Sequence, residues 1–226
     1  MVIVEDFTRP SHKLVESLSA FTSALLSDAM SKMNTMSVDI KPLLPGVKIA
    51  GPALTVRSIA ADFLTPIRAI DYAKPGDIIV VDVRGFKGAA VWGEIASASA
   101  KQWDVGGAVI DGSIRDVAGI REMGFQIFHG GVVPNAGDAS ALCDINIPIT
   151  CGGVTVKPGD IIVGDDDGVV SIPLERAEVV LEKARRQHQL EEEILRKLGE
   201  GKTVYKALEE VLGGYTITVG KDIEIP

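Results

Sequence analysis

Two short apolar runs constrain this chain more than any other feature. IIVVDV at residues 78–83 and GAVID at residues 107–111 are continuous apolar, β-branched stretches that do not alternate with polar residues. A strand buried on both faces reads this way, whereas a strand with one wet face alternates. Between them lies GAAVWGEIASASAKQWD (88–104), rich in Ala and Ser, which reads as a helix that lets another element approach closely. Strand, helix and buried strand over this length make a βαβ unit with parallel strands. AGIREMG then reads as a short helix and FQIFHG as a third strand that extends the parallel part. The fold class is α/β.

The flanks fill in around this unit. Leu14, Leu18, Phe21, Leu25 and Met30 have mostly helical spacing over residues 13–33, with Ser11 as N-cap. KPLLPG (41–46) is a loop, and VKIAGPALTVRSI (47–59) is a strand in which Gly51 and Pro52 mark a bend or an edge position. Thr65 to Tyr72 is a short helix stopped by Lys74-Pro75-Gly76-Asp77. From Pro148 the chain turns to short strands and Gly-Asp turns, a β-meander. The Asp165-Asp166-Asp167-Gly168 cluster lacks the alternate ligand spacing and terminal Glu of a calcium loop, so it reads as an acidic turn. A helix runs from Pro173 to about Leu198, supported by the i,i+4 pairs Glu182 with Arg186, Glu192 with Arg196 and Glu193 with Lys197. So charged a helix keeps one wet face and suits an arm laid against another subunit. The tail TVYKALEEVLGGYTITVGKDIEIP adds a short helix and a terminal strand-like segment.

Composition excludes several functions. With 226 residues, 46% of them apolar, the chain is long enough for a sizeable core and is read as one domain. Its net charge of -8 and the lack of a Lys/Arg run argue against nucleic acid as a partner. Cys143 and Cys151 belong to no CxxC or Cys/His cluster and are expected as free thiols in a reducing compartment. No signal peptide and no uncharged run of membrane-spanning length are found, so a soluble, cytoplasmic protein is expected.

Candidate chemistry concentrates in residues 91–116. If a helix starts near Gly93-Glu94-Ile95-Ala96, its first N–H groups have no intrahelical partner and can hold a small carboxylate or phosphate, with Gly93 allowing close approach. The bland alternative is an acidic first turn in which Glu94 only balances the helix dipole. Asp111-Gly112-Ser113-Ile114-Arg115-Asp116 leaves the C-terminal end of a buried strand, where open α/β sheets place ligands. There Asp116 can hold a divalent cation while Arg115 faces an anionic oxygen. In the bland alternative Asp116 caps the next helix and Arg115 pairs on the surface. Twenty residues, 95 to 114, separate Glu94 from Arg115, so helix and strand can bring both pairs to one cleft. His129 follows the third strand and is read chiefly as structural, and His12 and His188 rank lower. Trp92 and Trp103 flank the helix as packing residues, with Trp92 placed to shape a pocket wall.

An acidic residue, twenty intervening residues and then Arg-Asp also characterise a known family. The GEIA and DGSIRD segments, with GPALTV, PGDIIVVD, GGVTVKPGDIIVGDDDGVVSIP and the SDAM near residue 28, resemble the RraA-like family. That family contains 4-hydroxy-4-methyl-2-oxoglutarate/4-carboxy-4-hydroxy-2-oxoadipate aldolase and the regulator of ribonuclease E activity. The resemblance covers roughly residues 20–200. It implies a swivelling β/β/α fold with a C-terminal helical arm and tail (173–226), assembled as a homotrimer or homohexamer with active sites between subunits. It further implies a class II aldolase that uses Mg2+ or Mn2+ to cleave a 4-hydroxy-2-oxo acid to pyruvate, with oxaloacetate decarboxylation as a side activity. Carried over by position, Asp116 is the metal ligand and Arg115 meets the oxo oxygen. The backbone at Gly93, Glu94, Ile95 and Ala96 holds the substrate carboxylate, and Glu94 or a carboxylate of the neighbouring subunit assists in moving a proton. A neighbouring subunit's helix is expected to add Glu191, Glu192 or Glu193. The family's aldolases carry Asp where this chain has Glu94, which leaves substrate and efficiency open. The alternative is a non-catalytic protein-binding regulator, a branch that lacks the Asp after the Arg and the long C-terminal helix. A methyltransferase label borne by some relatives is set aside, since no Gly-rich nucleotide loop is present.

Overall fold

The computed structural model describes residues 1–139 and 143–213. The chain divides into two compact units, Met1–Ala184 and Arg185–Pro226. The first unit opens with helices α1 (His12–Ser19) and α2 (Ser23–Ala29). The single helix expected over 13–33 is thus two: Thr22 takes extended backbone angles and its side chain accepts from Leu25 N–H, capping a fresh start. Ser11 does cap α1, accepting from Leu14 N–H.

Strands β1 (Lys41–Pro42), β2 (Ile49–Arg57), β3 (Ile78–Asp82), β4 (Ala90–Trp92), β5 (Gly107–Ile114) and β6 (Ile127–Val132) follow in chain order. Helices α3 (Leu64–Ala69), α4 (Glu94–Gln102) and α5 (Val117–Met123) lie between them, with a 3-10 turn Ile70–Tyr72 after α3. Strands β2, β3, β5 and β6 are parallel neighbours, as the two apolar runs require. Burial on both faces is explicit: Ile79, Val81, Ala108 and Ile110 pack toward one core, while Ile78, Val80 and Val109 pack toward another.

Three further departures from expectation concern β2, β4 and the C-terminal strands. β2 is not an edge. Residues 49–52 pair antiparallel with β10 (Ile161–Asp165), and residues 53–57 pair parallel with β3. Pro52 therefore stands where the strand changes partner. The predicted helix over 88–104 is split, because Ala90–Trp92 forms β4, parallel to the end of β5. Three buried residues there continue the sheet, and the helix begins only after Gly93. The predicted meander is two hairpins. β8 (Ile149–Cys151) and β9 (Val154–Val156) form their own small sheet, while β10 and β11 (Gly168–Ile172) join the main one. β7 (Asp144–Ile145) adds to the end of β2.

The sheet so extended curls nearly closed around Phe128, Ile49, Ile162 and Val169. The acidic turn at 165–168 serves the protein itself: Asp165 accepts from Ser23 N–H at 2.7 Å and from Asp167 N–H, and Asp166 accepts from Gly46 N–H. Helix α6 (Ala177–Gly199) buries Ala177, Val180, Leu181 and Ala184 in the first unit. The second unit contains the rest of α6 and α7 (Val204–Leu212), joined by ion pairs from Lys197 and Lys202 to Glu210. Lys197 and Arg196 thus take partners other than the expected Glu193 and Glu192: Arg196 reaches Glu200 and Glu193, and Glu192 faces His188. The terminal strand-like segment lies outside the described residues. Among the described residues no helix is long and apolar enough to cross a membrane.

One contact ties the N-terminal segment to the start of β3. The Asp77 carboxylate is 1% exposed and receives both Arg9 Nε at 2.9 Å and the second Arg9 nitrogen at 2.7 Å, with Lys74 N–H as a third donor. Removing one partner of such a pair leaves a buried charge unmatched. Arg9→Met is expected to lower unfolding free energy by about 3 kcal/mol, read from urea denaturation.

Candidate active site

The site forms where β4 and β5 end and α4 and α5 begin. Arg115 N–H donates to Trp92 O at 3.0 Å, so the residues leaving β5 are held against those leaving β4. Trp92 is buried, stacks on Phe125 with ring centroids 6.5 Å apart, and donates from Nε1 to Ser97 Oγ at 2.9 Å. That hydroxyl in turn donates to Gly93 O at 2.9 Å, which pins the first turn of α4. The N–H groups at this helix start point outward without intrahelical acceptors.

Asp116 occupies the N-cap position of α5, yet its backbone is left-handed (φ 56°, ψ 36°) and its side chain makes no cap bond. The bland reading of a simple capping Asp therefore fails. Its Oδ2 instead lies 3.4 Å from Glu94 N–H and 3.3 Å from Arg115 Nε. Arg115 and Asp116 thus face each other rather than separate partners, and both side chains are 40% exposed. The left-handed conformation is one that Asp tolerates better than most residues, and here it turns the carboxylate toward the neighbouring helix.

Gly93 is required by space. Its backbone is extended (φ -159°), which any residue adopts, but a Cβ would stand 2.7 Å from Asp116 Oδ2 and 3.3 Å from Arg115 Cγ. A pocket of about 210 Å³ opens here, lined by Gly93, Ile95, Ala96, Arg115 and Asp116. Its remaining wall is apolar: Phe63 just before α3 and Ile67 within it, Ala90 to Trp92 from β4, and Ala136. Ala136 arrives through a backbone bridge to Ala90. These distant contributors carry no local sequence signal, because α3 and the loop after β6 meet β4 only through the tertiary fold.

Of the residues singled out from sequence, Gly93, Ile95, Ala96, Arg115 and Asp116 line this one pocket. Glu94 contributes its N–H to Asp116, while its side chain crosses to α5. Asp111, at the start of the same DGSIRD segment, opens into a different cavity of about 600 Å³ beside Arg57, Asp82 and Arg84. Burial holds the Asp111 carboxyl above its ordinary value, against a hydrogen bond from Gly152 N–H that favours the charged form. His129 lies in β6 opposite Lys41, with Nδ1 buried and unpartnered, outside the pocket lining. Trp92 packs as expected, but Trp103 is 63% exposed and does not. Glu191, Glu192 and Glu193 belong to the part of α6 in the second unit.

Residues 23–171 match the family model for RraA-like proteins, described as Aldolase/RraA. A protein of Halalkalibacterium halodurans named "Putative 4-hydroxy-4-methyl-2-oxoglutarate aldolase" is 40% identical over 162 residues, spanning 72% of this chain and 77% of that protein. Among solved structures, an uncharacterized protein from Pseudomonas syringae superposes with a TM-score of 0.82 at 27% identity, covering 91% of this chain and 97% of that one. Streptomyces coelicolor RraAS2, titled an unusual member of the RNase ES inhibitor RraA protein family, superposes with a TM-score of 0.76 at 29% identity, covering 83% and 98%.

Gly93→Ala is expected to push the Asp116 carboxylate away from Glu94 N–H while leaving the sheet intact. Its far-ultraviolet circular dichroism should match the parent, and any activity of the site should fall roughly 100-fold, as misplacements of about 1 Å do.

Proposed function

The chain belongs to the RraA-like, Aldolase/RraA, family, and from that premise we propose that it is a divalent-metal-dependent lyase that cleaves 4-hydroxy-2-oxo acids to pyruvate and a second oxo compound. The observation that carries this reading is the meeting of a helix start, a guanidinium and a half-exposed carboxylate around one pocket. The resemblance to an aldolase by name supports the reaction class.

The residues present fit a metal of the Mg2+ or Mn2+ kind. Among the described residues no group of three or more His, Cys, Asp or Glu gathers as a closed cage. One carboxylate, Asp116, lies at the pocket with only two longer contacts of 3.3 and 3.4 Å. Mg2+ keeps much of its hydration and is commonly held by one or two carboxylates with substrate oxygens completing the shell. Asp116 is the residue that would hold it. When bound, such a metal supplies Lewis-acid stabilisation of negative charge on the substrate.

The chain's own residues divide the remaining work. The N–H groups of Ile95 and Ala96 bind the 2-oxo acid carboxylate at the start of α4, where the helix dipole favours an anion. Arg115 faces the C2 oxygen and stabilises the charge that develops there. Glu94 accepts the C4 hydroxyl proton. The C3–C4 bond then breaks, its electron pair passes toward C2 to give the pyruvate enolate, and the C4 fragment leaves as a carbonyl compound. Decarboxylation of oxaloacetate breaks the corresponding bond, releases carbon dioxide and reaches the same enolate. Phe63, Ile67 and Trp92 give the pocket an apolar wall beside Arg115. Active sites between subunits of a trimer or hexamer, with a carboxylate from a neighbouring α6, complete the proposal.

The likeness to RraAS2 favours a second reading, a protein-binding regulator without catalysis. Pyruvate release separates the two. Oxaloacetate and 4-hydroxy-4-methyl-2-oxoglutarate are expected to yield pyruvate in the presence of Mg2+ and none with excess chelator. Asp116→Ala should abolish turnover, and Arg115→Lys should lower kcat roughly 100-fold. Turnover unaffected by chelator, or full activity in Asp116→Ala, would overturn the mechanism.

A further inference from the structure

Glu94 and Asp116 exchange sides. The Asp116 carboxylate, from the start of α5, lies at the start of α4, 3.4 Å from Glu94 N–H. The Glu94 side chain, from the start of α4, lies against the first turn of α5. There it fills the space in front of Gly119: a Cβ built on that glycine would stand 2.6 Å from Glu94 Oε1 and closer still to Cδ and Oε2. Outside the backbone of α5 and the neighbours of Gly119 in the chain, these are the three nearest atoms.

Gly119 has no backbone reason to be glycine. It lies inside α5 (Val117–Met123), and its φ is outside the left-handed region that only glycine visits freely. Glycine within a helix is unfavourable relative to alanine because it gives up more conformational freedom. Gly124, which ends the same helix with φ 70°, has such a reason. What Gly119 supplies is room for a carboxylate, and the group in that room belongs to Glu94.

We propose that Gly119 is a positioning residue: its missing side chain leaves the room in which the Glu94 carboxylate rests on α5, and from there it takes up the substrate proton. The inference rests on the reaction proposed above. The two helices meet closely here and are tied again at their far ends, where Lys101 Nζ donates to Met123 O. A methyl group at 119 would meet the Glu94 carboxyl before any other atom outside α5. The flexible end of Glu94 yields.

That gives Gly119→Ala an unusual signature. The fold should be as stable as the parent or more so, with an equal or higher Tm, since alanine suits the helix better. The kcat for pyruvate release from oxaloacetate with Mg2+ should fall about tenfold, with KM little changed, because the carboxylate-binding N–H groups do not move. Shortening the displaced side chain should relieve the clash, so Glu94→Asp combined with Gly119→Ala should exceed Gly119→Ala alone in kcat. A purely structural glycine would show a lower Tm and no such rescue. Parental kcat in Gly119→Ala, or a double variant no better than the single one, would overturn the proposal. Crystal structures of parent and Gly119→Ala provide a readout independent of turnover. If the parent releases no pyruvate, the reaction assignment falls, and the pairing is then judged by whether the Glu94 carboxylate has left α5. An unmoved Glu94 would overturn it.

Discussion

Asp116 begins α5 with left-handed backbone angles and directs its carboxylate to Glu94 N–H on α4 rather than to its own helix. The rest of the site follows from that turn. Because the carboxylate crosses to α4, a Cβ at 93 would collide with it, so the residue there is glycine. Because Arg115 precedes it on the strand exit, Arg115 Nε comes within 3.3 Å of the same oxygen. The ion pair so formed is half-exposed, and pairs of that kind contribute little to stability. A left-handed non-glycine residue costs of order 1 kcal/mol.

The turn can be held only because the sheet over-determines it. Arg115 N–H is anchored to Trp92 O, and Trp92 is fixed by Phe125 and Ser97. β4 is short, but Ala90 and Trp92 register with Ser113 and Ile114 at the end of β5, so the exits of both strands are set by one ladder. Farther down, β3 and β5 are buried on both faces in two separate cores. A shift of one residue in either would move apolar side chains between those cores, so register is strongly specified. Rigidity thus reaches the site from the two apolar runs with which the sequence is most easily read.

Legibility in the sequence tracks how local each cause is. Runs such as IIVVDV declare burial on both faces through their own side chains, and the parallel order of β2, β3, β5 and β6 agrees with them. β4 was hidden because Ala90-Val91-Trp92 sits within a stretch of helix-forming residues, and only pairing with β5 makes it a strand. The closure of the sheet by β10 and β11 had no local signal either, since β2 must change partners at Pro52 to admit it. At the site, the Gly-Glu and Arg-Asp pairs were visible as motifs, and the family resemblance assigned their roles. Phe63, Ile67 and Ala136 were not visible, because an apolar residue that lines a pocket looks like one that fills a core. Trp103 shows the reverse error: a large aromatic ring beside a helix was read as packing, and it stands in solvent.

Two acidic residues at the mouth of two adjacent helices would ordinarily each serve their own helix, as caps or as charges that offset the dipole. In this chain Asp116 accepts from the first N–H of α4 instead, and the Glu94 side chain lies against α5. The two carboxylates do not share a partner, since Asp116 faces a backbone N–H and Arg115 while Glu94 rests against Gly119. On the proposed reaction Asp116 would hold the metal and Glu94 would accept the proton, two roles that different surroundings keep apart. That arrangement needs both side chains to reach across the helix pair. The left-handed backbone of Asp116 sends one carboxylate to α4, and the bare Cα of Gly119 leaves room for the other on α5.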